Sequence, residues 1–183
     1  TTALAISILA GVLVLSTIVV FAGNGETAAV TELKSESTSK SLTSHTPIYI
    51  DGNSGFNETN GISSGNGSIS NPYIIENWDI DASSANGIYI LNTNAYFIIR
   101  NCAIHDGRSN DHYGIYFWDV VNSKIDNVTS YNNYYGIYLL NSLNNNISAN
   151  QIYNNYYGIF LPYSSNNTIS TNQIYNNSYG ISL

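Results

Sequence analysis

The sequence predicts an all-β solenoid of stacked coils, preceded by one long hydrophobic α-helix. Three observations carry that prediction: a Gly-Ile dipeptide recurs at fixed spacing, short apolar-alternating segments follow each copy, and the chain opens on an uncharged apolar run. Gly114-Ile115, Gly136-Ile137, Gly158-Ile159 and Gly180-Ile181 lie 22 residues apart, and Gly87-Ile88 lies 27 before Gly114. A period of this length marks an architecture in which each repeat stacks on the next. Helical repeats are longer and use helix formers, whereas these units are rich in Ile, Tyr, Asn and Gly.

The first element is Thr1–Gly23, TTALAISILAGVLVLSTIVVFAG, with no charge before Glu26. As a helix it would span roughly 33 Å, enough to cross a bilayer core. Its apolar positions, Leu4, Ile6, Ile8, Leu9, Val12, Leu13, Leu15, Ile18, Val19 and Phe21, would then face lipid or a filament core. Three readings compete: a membrane anchor, a secretory signal cut after Val20-Phe21-Ala22, and a mature N-terminal helix exposed once a short leader is removed. The last layout resembles archaeal type IV pilins and archaellins, although no Glu stands near position 5. That resemblance implies self-association into a filament.

Residues 24–46 read as a Ser/Thr-rich linker or stalk, its Glu-to-Ser stretch able to extend the helix by a turn or two. The solenoid is expected over 47–183, opening with the PIYIDG stretch. Within it, apolar residues alternate with outward ones at Ile88 and Ile90, Ile115 and Phe117, Ile137 and Leu139, and Ile159 and Leu161. A second inward set is Ile99, Ile125, Ile147 and Ile169; a third is Ile80, Ile104, Ile152 and Ile174, with Ser130 the exception. Each coil therefore contributes three short strands. The extra residues between Gly87 and Gly114 fit a loop containing Gly107–Asp111. Asn132, Asn154 and Asn176 form one corner column and Asn133, Asn155 and Asn177 another, where left-handed backbone is needed. Cys102, Val128, Asn150 and Asn172 share an inward position, which predicts an internal Asn ladder in the later coils.

The stretches HTPIYIDGNSGF, NGSISNPYIIENWDI and NGIYILNTNAYFIIRNC, followed by the YGIY repeats, resemble the right-handed parallel β-helix repeat proteins. More narrowly they are similar to NosD-like β-helix domains of archaeal surface proteins. The resemblance implies a right-handed parallel β-helix and little about activity, since that fold carries lyases, hydrolases, epimerases, adhesins and inert stalks. The copper role that the NosD label implies is not matched by three His, no Met and one Cys.

Charged residues make up 9% of the 183-residue chain and the net charge is -7, which argues against nucleic acid or an anionic membrane surface as partner. The single cysteine, Cys102, excludes an intrachain disulfide. His105, Asp106, Arg108, Asp111 and His112 form the densest polar cluster and are the candidate ligand loop for a carbohydrate or cation; Asp79 and Asp81 lie one coil earlier. An Asp-Asp doublet and an Asp-Pro-His triplet, expected of polysaccharide-active relatives, are both missing, so no catalytic residue, cofactor or metal site is assigned. Glu76, Arg100 and Asp126 should form an outward acid–base–acid ladder worth about 0.5 kcal/mol per exposed contact. Asp81, His105, Tyr131, Tyr153 and Tyr175 form a second column, and outward Tyr columns (Tyr89, Tyr116, Tyr138; Tyr135, Tyr157, Tyr179) serve either as strand residues or as sugar platforms. N-glycosylation motifs fall at Asn57, Asn66, Asn127, Asn146, Asn166 and Asn176.

These features add up to a non-enzymatic extracellular structural protein, a pilin-like filament subunit displaying a β-helix. The alternatives are a membrane-anchored, carbohydrate-binding adhesin and a polysaccharide lyase or hydrolase. Leu183 falls just inside a new repeat, so its strand edges are expected to meet either further chain or a neighbouring subunit.

Overall fold

The computed structural model describes residues 13–21, 27–35 and 41–183. The chain divides into two compact units, Thr1–Lys40 and Ser41–Leu183.

In the first unit, β1 (Leu13–Phe21) pairs antiparallel with β2 (Thr27–Ser35), in a register running from Leu13↔Ser35 to Phe21↔Thr27. This corrects the expected hydrophobic helix. Leu13, Leu15, Ile18, Val19 and Phe21 lie on a strand; Leu4, Ile6, Ile8, Leu9 and Val12 lie outside the described residues. The physical reason is composition within the apolar run. Thr17, Ile18, Val19 and Val20 are consecutive β-branched residues, stiff about the first side-chain torsion and better suited to a pleated strand. Apolarity and length alone do not separate a spanning helix from a buried strand. No helix among the described residues is long and apolar enough to cross a membrane. Thr27–Ser35, read in the sequence as spacer, is likewise strand.

The second unit is a right-handed solenoid with three faces of six strands each. The first face stacks β3 (Thr43–His45), β7 (Trp78–Asp81), β10 (Ala103–His105), β13 (Thr129–Tyr131), β16 (Gln151–Tyr153) and β19 (Gln173–Tyr175). The second stacks β4 (Ile48–Asp51), β8 (Ile88–Thr93), β11 (Tyr113–Val120), β14 (Tyr135–Leu140), β17 (Tyr157–Phe160) and β20 (Tyr179–Ser182). The third contains β5 (Ile62–Ser64), β6 (Tyr73–Glu76), β9 (Phe97–Arg100), β12 (Ser123–Asp126), β15 (Asn146–Ser148) and β18 (Thr168–Ser170). Pairing is parallel throughout these faces except β5 with β6, which is antiparallel. Register follows the repeat, so Ile88, Ile115, Ile137, Ile159 and Ile181 pair in series.

The bore is filled by the predicted apolar sets. Ile80, Ile88, Ile90, Ile99, Ile104, Ile115, Phe117, Ile125, Ile137, Leu139, Ile147, Ile152 and Ile159 are all fully buried. At about 1.5–3 kcal/mol for each large apolar side chain removed from water, these ladders are the main favourable term. At the N-terminal coils the filling is aromatic: Phe56 stacks on Tyr73 at 4.7 Å and touches Phe97 at 5.2 Å, and Phe97 meets Phe117 edge-on at 5.5 Å.

Corners follow one rule. A residue with positive φ turns the chain, and the residue after it points inward. The positive-φ columns are Asn92, Asp119, Asn141 and Tyr163; Asn122, Asn144 and Asn166; Asn77, Asn101, Asn127, Ala149 and Thr171; and Asp106, Asn132, Asn154 and Asn176. Asn tolerates this conformation better than other residues with a Cβ because its short amide bonds locally. The inward successors form polar ladders. Asn155 Oδ1 accepts from Asn133 N at 2.9 Å, while its Nδ2 donates to Ser130 O at 3.0 Å and to Asn177 Oδ1 at 3.1 Å. Asn150 repeats the pattern with Val128 N at 2.9 Å, Ile125 O at 3.0 Å and Asn172 Oδ1 at 2.9 Å. Asn145 accepts from Ser123 N at 3.0 Å and donates to Val120 O at 3.1 Å. Ser142 and Ser164 form a shorter version, with Val120 N to Ser142 Oγ at 3.1 Å and Ser142 N to Ser164 Oγ at 3.0 Å. Each amide thus satisfies backbone groups that the bend between strands takes out of the sheets.

Ser130, the exception in the Ile column, is explained by the same chemistry: its Oγ donates to Gly136 O at 2.9 Å and accepts from Asn133 Nδ2 at 3.1 Å. In the corner column of Asn77, Asn101 and Asn127, Ala149 is held at φ 56° with no side-chain amide to bond locally. A Cβ in left-handed backbone costs about 1–2 kcal/mol, which Asn recovers in part. Ala149→Asn should therefore raise stability by about 1 kcal/mol, read as a higher midpoint in chemical denaturation with an unchanged slope.

Candidate functional site

The loop that carries the predicted polar cluster grows from β10. Asp106 turns the corner at φ 67°, Arg108–Asn110 form a single 3-10 turn, and Asp111 closes it at φ 56° before β11 begins. The structure brings four of the five predicted loop residues into defined contacts. His105 Nδ1 meets Asp106 Oδ2 at 2.9 Å, and its Nε2 meets Asp79 Oδ1 at 3.3 Å. Asn132 Nδ2 donates to Asp106 Oδ1 at 3.0 Å. Arg108 Nη1 donates to Asn154 O at 3.2 Å, two coils on, and His112 Nδ1 donates to Ala82 O at 2.8 Å, one coil back. Asp111 makes only a backbone bond, its N–H to Arg108 O at 3.4 Å. Asp81 stays outside the cluster, its Oδ1 accepting from Ser83 N at 2.8 Å. That backbone bond lowers the Asp81 carboxyl below the usual range; the Asn132 amide, then His105, do the same for Asp106.

A general base must reach a substrate proton with a free nitrogen or oxygen. Both His105 nitrogens already face carboxylates, and the Tyr131 ring covers its face at 5.1 Å and 19°. Cys102 is no nucleophile at neutral pH, because burial pushes its thiol up to about 11. Among the described residues no group of three or more His, Cys, Asp or Glu is placed to hold a metal ion.

Beside the loop runs an open groove of about 610 Å³, lined by Ser83, Asp106, Arg108, Ser109, Asn132, Asn154 and Asn176. The sequence shows Asn132, Asn154 and Asn176 as corner turners; that they also wall a groove with Asp106 follows from the 22-residue spacing, once Asp106 is recognised as the same column across the longer coil. Ser83 and Ser109 carry no sequence signal.

The Tyr columns are stacks. Tyr131, Tyr153 and Tyr175 lie face to face at 5.1 and 5.0 Å, and Tyr135, Tyr157 and Tyr179 at 4.8 and 4.7 Å. Tyr89 stacks on Tyr116 at 4.5 Å, and Tyr138 meets Tyr116 edge-on at 5.0 Å. Ring faces inside a stack are used by neighbouring coils and are not open to a sugar. Of the expected charge ladder, Arg100 binds Glu76 at 2.7 Å, but Asp126 pairs with Lys124 at 3.2 Å instead.

Burial first, then neighbouring tyrosines, push the hydroxyls of Tyr116 and Tyr135 up to about 12. A raised folded-state pKa contributes stability that is complete below the unfolded value of about 10 and is lost as pH climbs through the folded one. Tyrosinate absorbance should therefore lag free tyrosine above that pH, then rise together with loss of the β circular-dichroism signal near pH 12. Titration of every tyrosine as a free phenol in the still-folded chain would contradict this.

A three-faced solenoid whose polar side chains tie one coil to the next defines a β-helix repeat protein. The model of one family, right handed beta helix region, matches residues 21–183, and the chain belongs to that family. Searches of curated proteins and of solved structures each found no match.

Proposed function

We propose that this chain is a non-enzymatic extracellular β-helix acting as a stiff structural unit at a cell surface. The observation that carries the reading is how the loop's polar groups are used. His105, Asp106 and Arg108 are bound to Asp79, Asn132 and the Asn154 carbonyl, on coils before and after their own. These contacts staple one coil to the next and commit His105, Asp106 and Arg108 to neighbouring coils. The filament reading rested on an N-terminal helix, and with Leu13–Phe21 a strand it is set aside.

Protease shaving of intact cells that make the full chain tests the proposal. The expected result is release of a folded fragment that contains Ser41–Leu183. Retention inside the cell, or release of cleaved polysaccharide by the purified chain, would overturn it.

A second reading is favoured by the groove, which is lined entirely by polar side chains and carries one cation, Arg108. Amide and hydroxyl groups in such a row suit a neutral glycan. Arg108→Ala should then abolish binding on an oligosaccharide array while the fold remains intact.

A further inference from the structure

The six N-glycosylation motifs differ in whether the fold leaves their chemistry available. The motif joins an acceptor amide to a hydroxyl two residues later, and a transferring enzyme must reach both on one exposed segment. In three motifs one of these groups is committed. Asn57 Nδ2 donates to Gly55 O at 3.3 Å, and its Oδ1 accepts from Asn60 N at 3.0 Å. In the Asn66 motif, the Ser68 hydroxyl accepts from Asn71 N at 3.1 Å. In the Asn146 motif, the Ser148 hydroxyl donates to Asp126 Oδ1 at 2.9 Å, and Asn146 Oδ1 is closed off from solvent.

Asn127, Asn166 and Asn176 are different. Each sits at a corner with φ of 51°, 57° and 55°, and each is exposed. Their middle residues turn inward: Val128 is buried, and Asn167 and Asn177 accept from Asn145 N at 2.8 Å and Asn155 N at 2.9 Å. The inward residue anchors the segment and leaves the asparagine and the hydroxyls of Thr129, Thr168 and Ser178 on the outside. No hydrogen bond among the described residues holds these three amides or these three hydroxyls.

We infer that Asn127, Asn166 and Asn176 are the glycan attachment sites of the folded chain. The donor is a sugar activated as a lipid-linked diphosphate. The asparagine Nδ2 forms a bond to the anomeric carbon, the bond from that carbon to phosphate breaks, the lipid diphosphate leaves with the electron pair, and one amide proton passes to solvent. The inference rests on the extracellular reading for its cellular setting only.

The test uses the purified full chain, a single-subunit oligosaccharyltransferase and a lipid-diphosphate-linked oligosaccharide, followed by intact-mass and glycopeptide analysis. The folded chain should be modified at Asn127, Asn166 and Asn176 and not at Asn57, Asn66 or Asn146. Thr129→Ala, Thr168→Ala and Ser178→Ala should each remove one site while keeping the asparagine at its corner. The heat-unfolded chain should lose the selection and accept sugar at the other motifs too. Equal modification of all six in the folded chain, or none in either form, would overturn the assignment. Either result would leave the surface-shaving experiment unaffected, so failure of the sites and failure of the location are separate outcomes.

Discussion

Gly136→Ala should destabilise the solenoid by about 3 kcal/mol or more, beyond the usual penalty for an overpacked core. A Cβ at Gly136 would come within 2.7 Å of the Gly158 carbonyl, 2.7 Å of Ile152 Cγ2 and 2.9 Å of Asn155 Nδ2. The first contact is backbone of the next coil, which cannot retreat without opening the parallel ladder between β14 and β17. The same crowding holds at Gly114, where the Gly136 carbonyl would lie 2.6 Å away, and at Gly158, where the Gly180 carbonyl would lie 2.4 Å away. Denaturant midpoints of Gly136→Ala and of Gly180→Ala make the comparison, because nothing lies within 4 Å of a Cβ at Gly180. Equal effects at the two positions would show that backbone entropy, and not close approach, is responsible. The glycine of YGI is thus present for close approach, while asparagine turns the corners.

Asn155→Leu is expected to cost roughly 3–5 kcal/mol, although the two side chains are similar in size. The loss is electrostatic in origin. Asn155 is fully buried, and its removal orphans the Asn133 N–H and the Ser130 carbonyl, while Asn177 Oδ1 keeps only the bond from the residue 155 backbone N–H. Each buried unsatisfied group costs about 1–3 kcal/mol. Hydrogen exchange should show the loss locally, as faster exchange at Asn133 in a chain that still folds at low temperature. Unchanged protection there would mean that the amide ladder fills space without holding the backbone.

Much of this architecture is legible in the sequence because the solenoid repeats its physics. Ile115, Ile137 and Ile159 meet the same environment, so one periodic reading places all three in the bore. The change from Cys102 and Val128 to Asn150 and Asn172 reveals the internal ladder by the same logic. What escapes is whatever occurs once. The antiparallel β5–β6 pair, with its 3-10 turns Asn53–Gly55 and Glu58–Asn60, interrupts the first coil without any later copy to calibrate it. The strand at Leu13–Phe21 escapes for a related reason, since a single apolar segment offers length and hydropathy but no second example. In the loop, composition identified His105 and Asp106, but their commitment to Asp79 and Asn132 depends on which coil lies beneath, a distance in space and not in sequence.

The corner rule also governs how such a chain can change over generations. An inserted or deleted residue within a strand or at a corner moves the ladder residues beside it out of line with their partners, whereas the 106–112 loop takes up extra residues without disturbing the Ile88–Ile115 pairing. Inserting one whole repeat leaves Asn133, Asn155 and Asn177 still answering one another across the bore. Outside such loops, growth comes in quanta of a full turn, and duplication of an existing turn arrives already bonded.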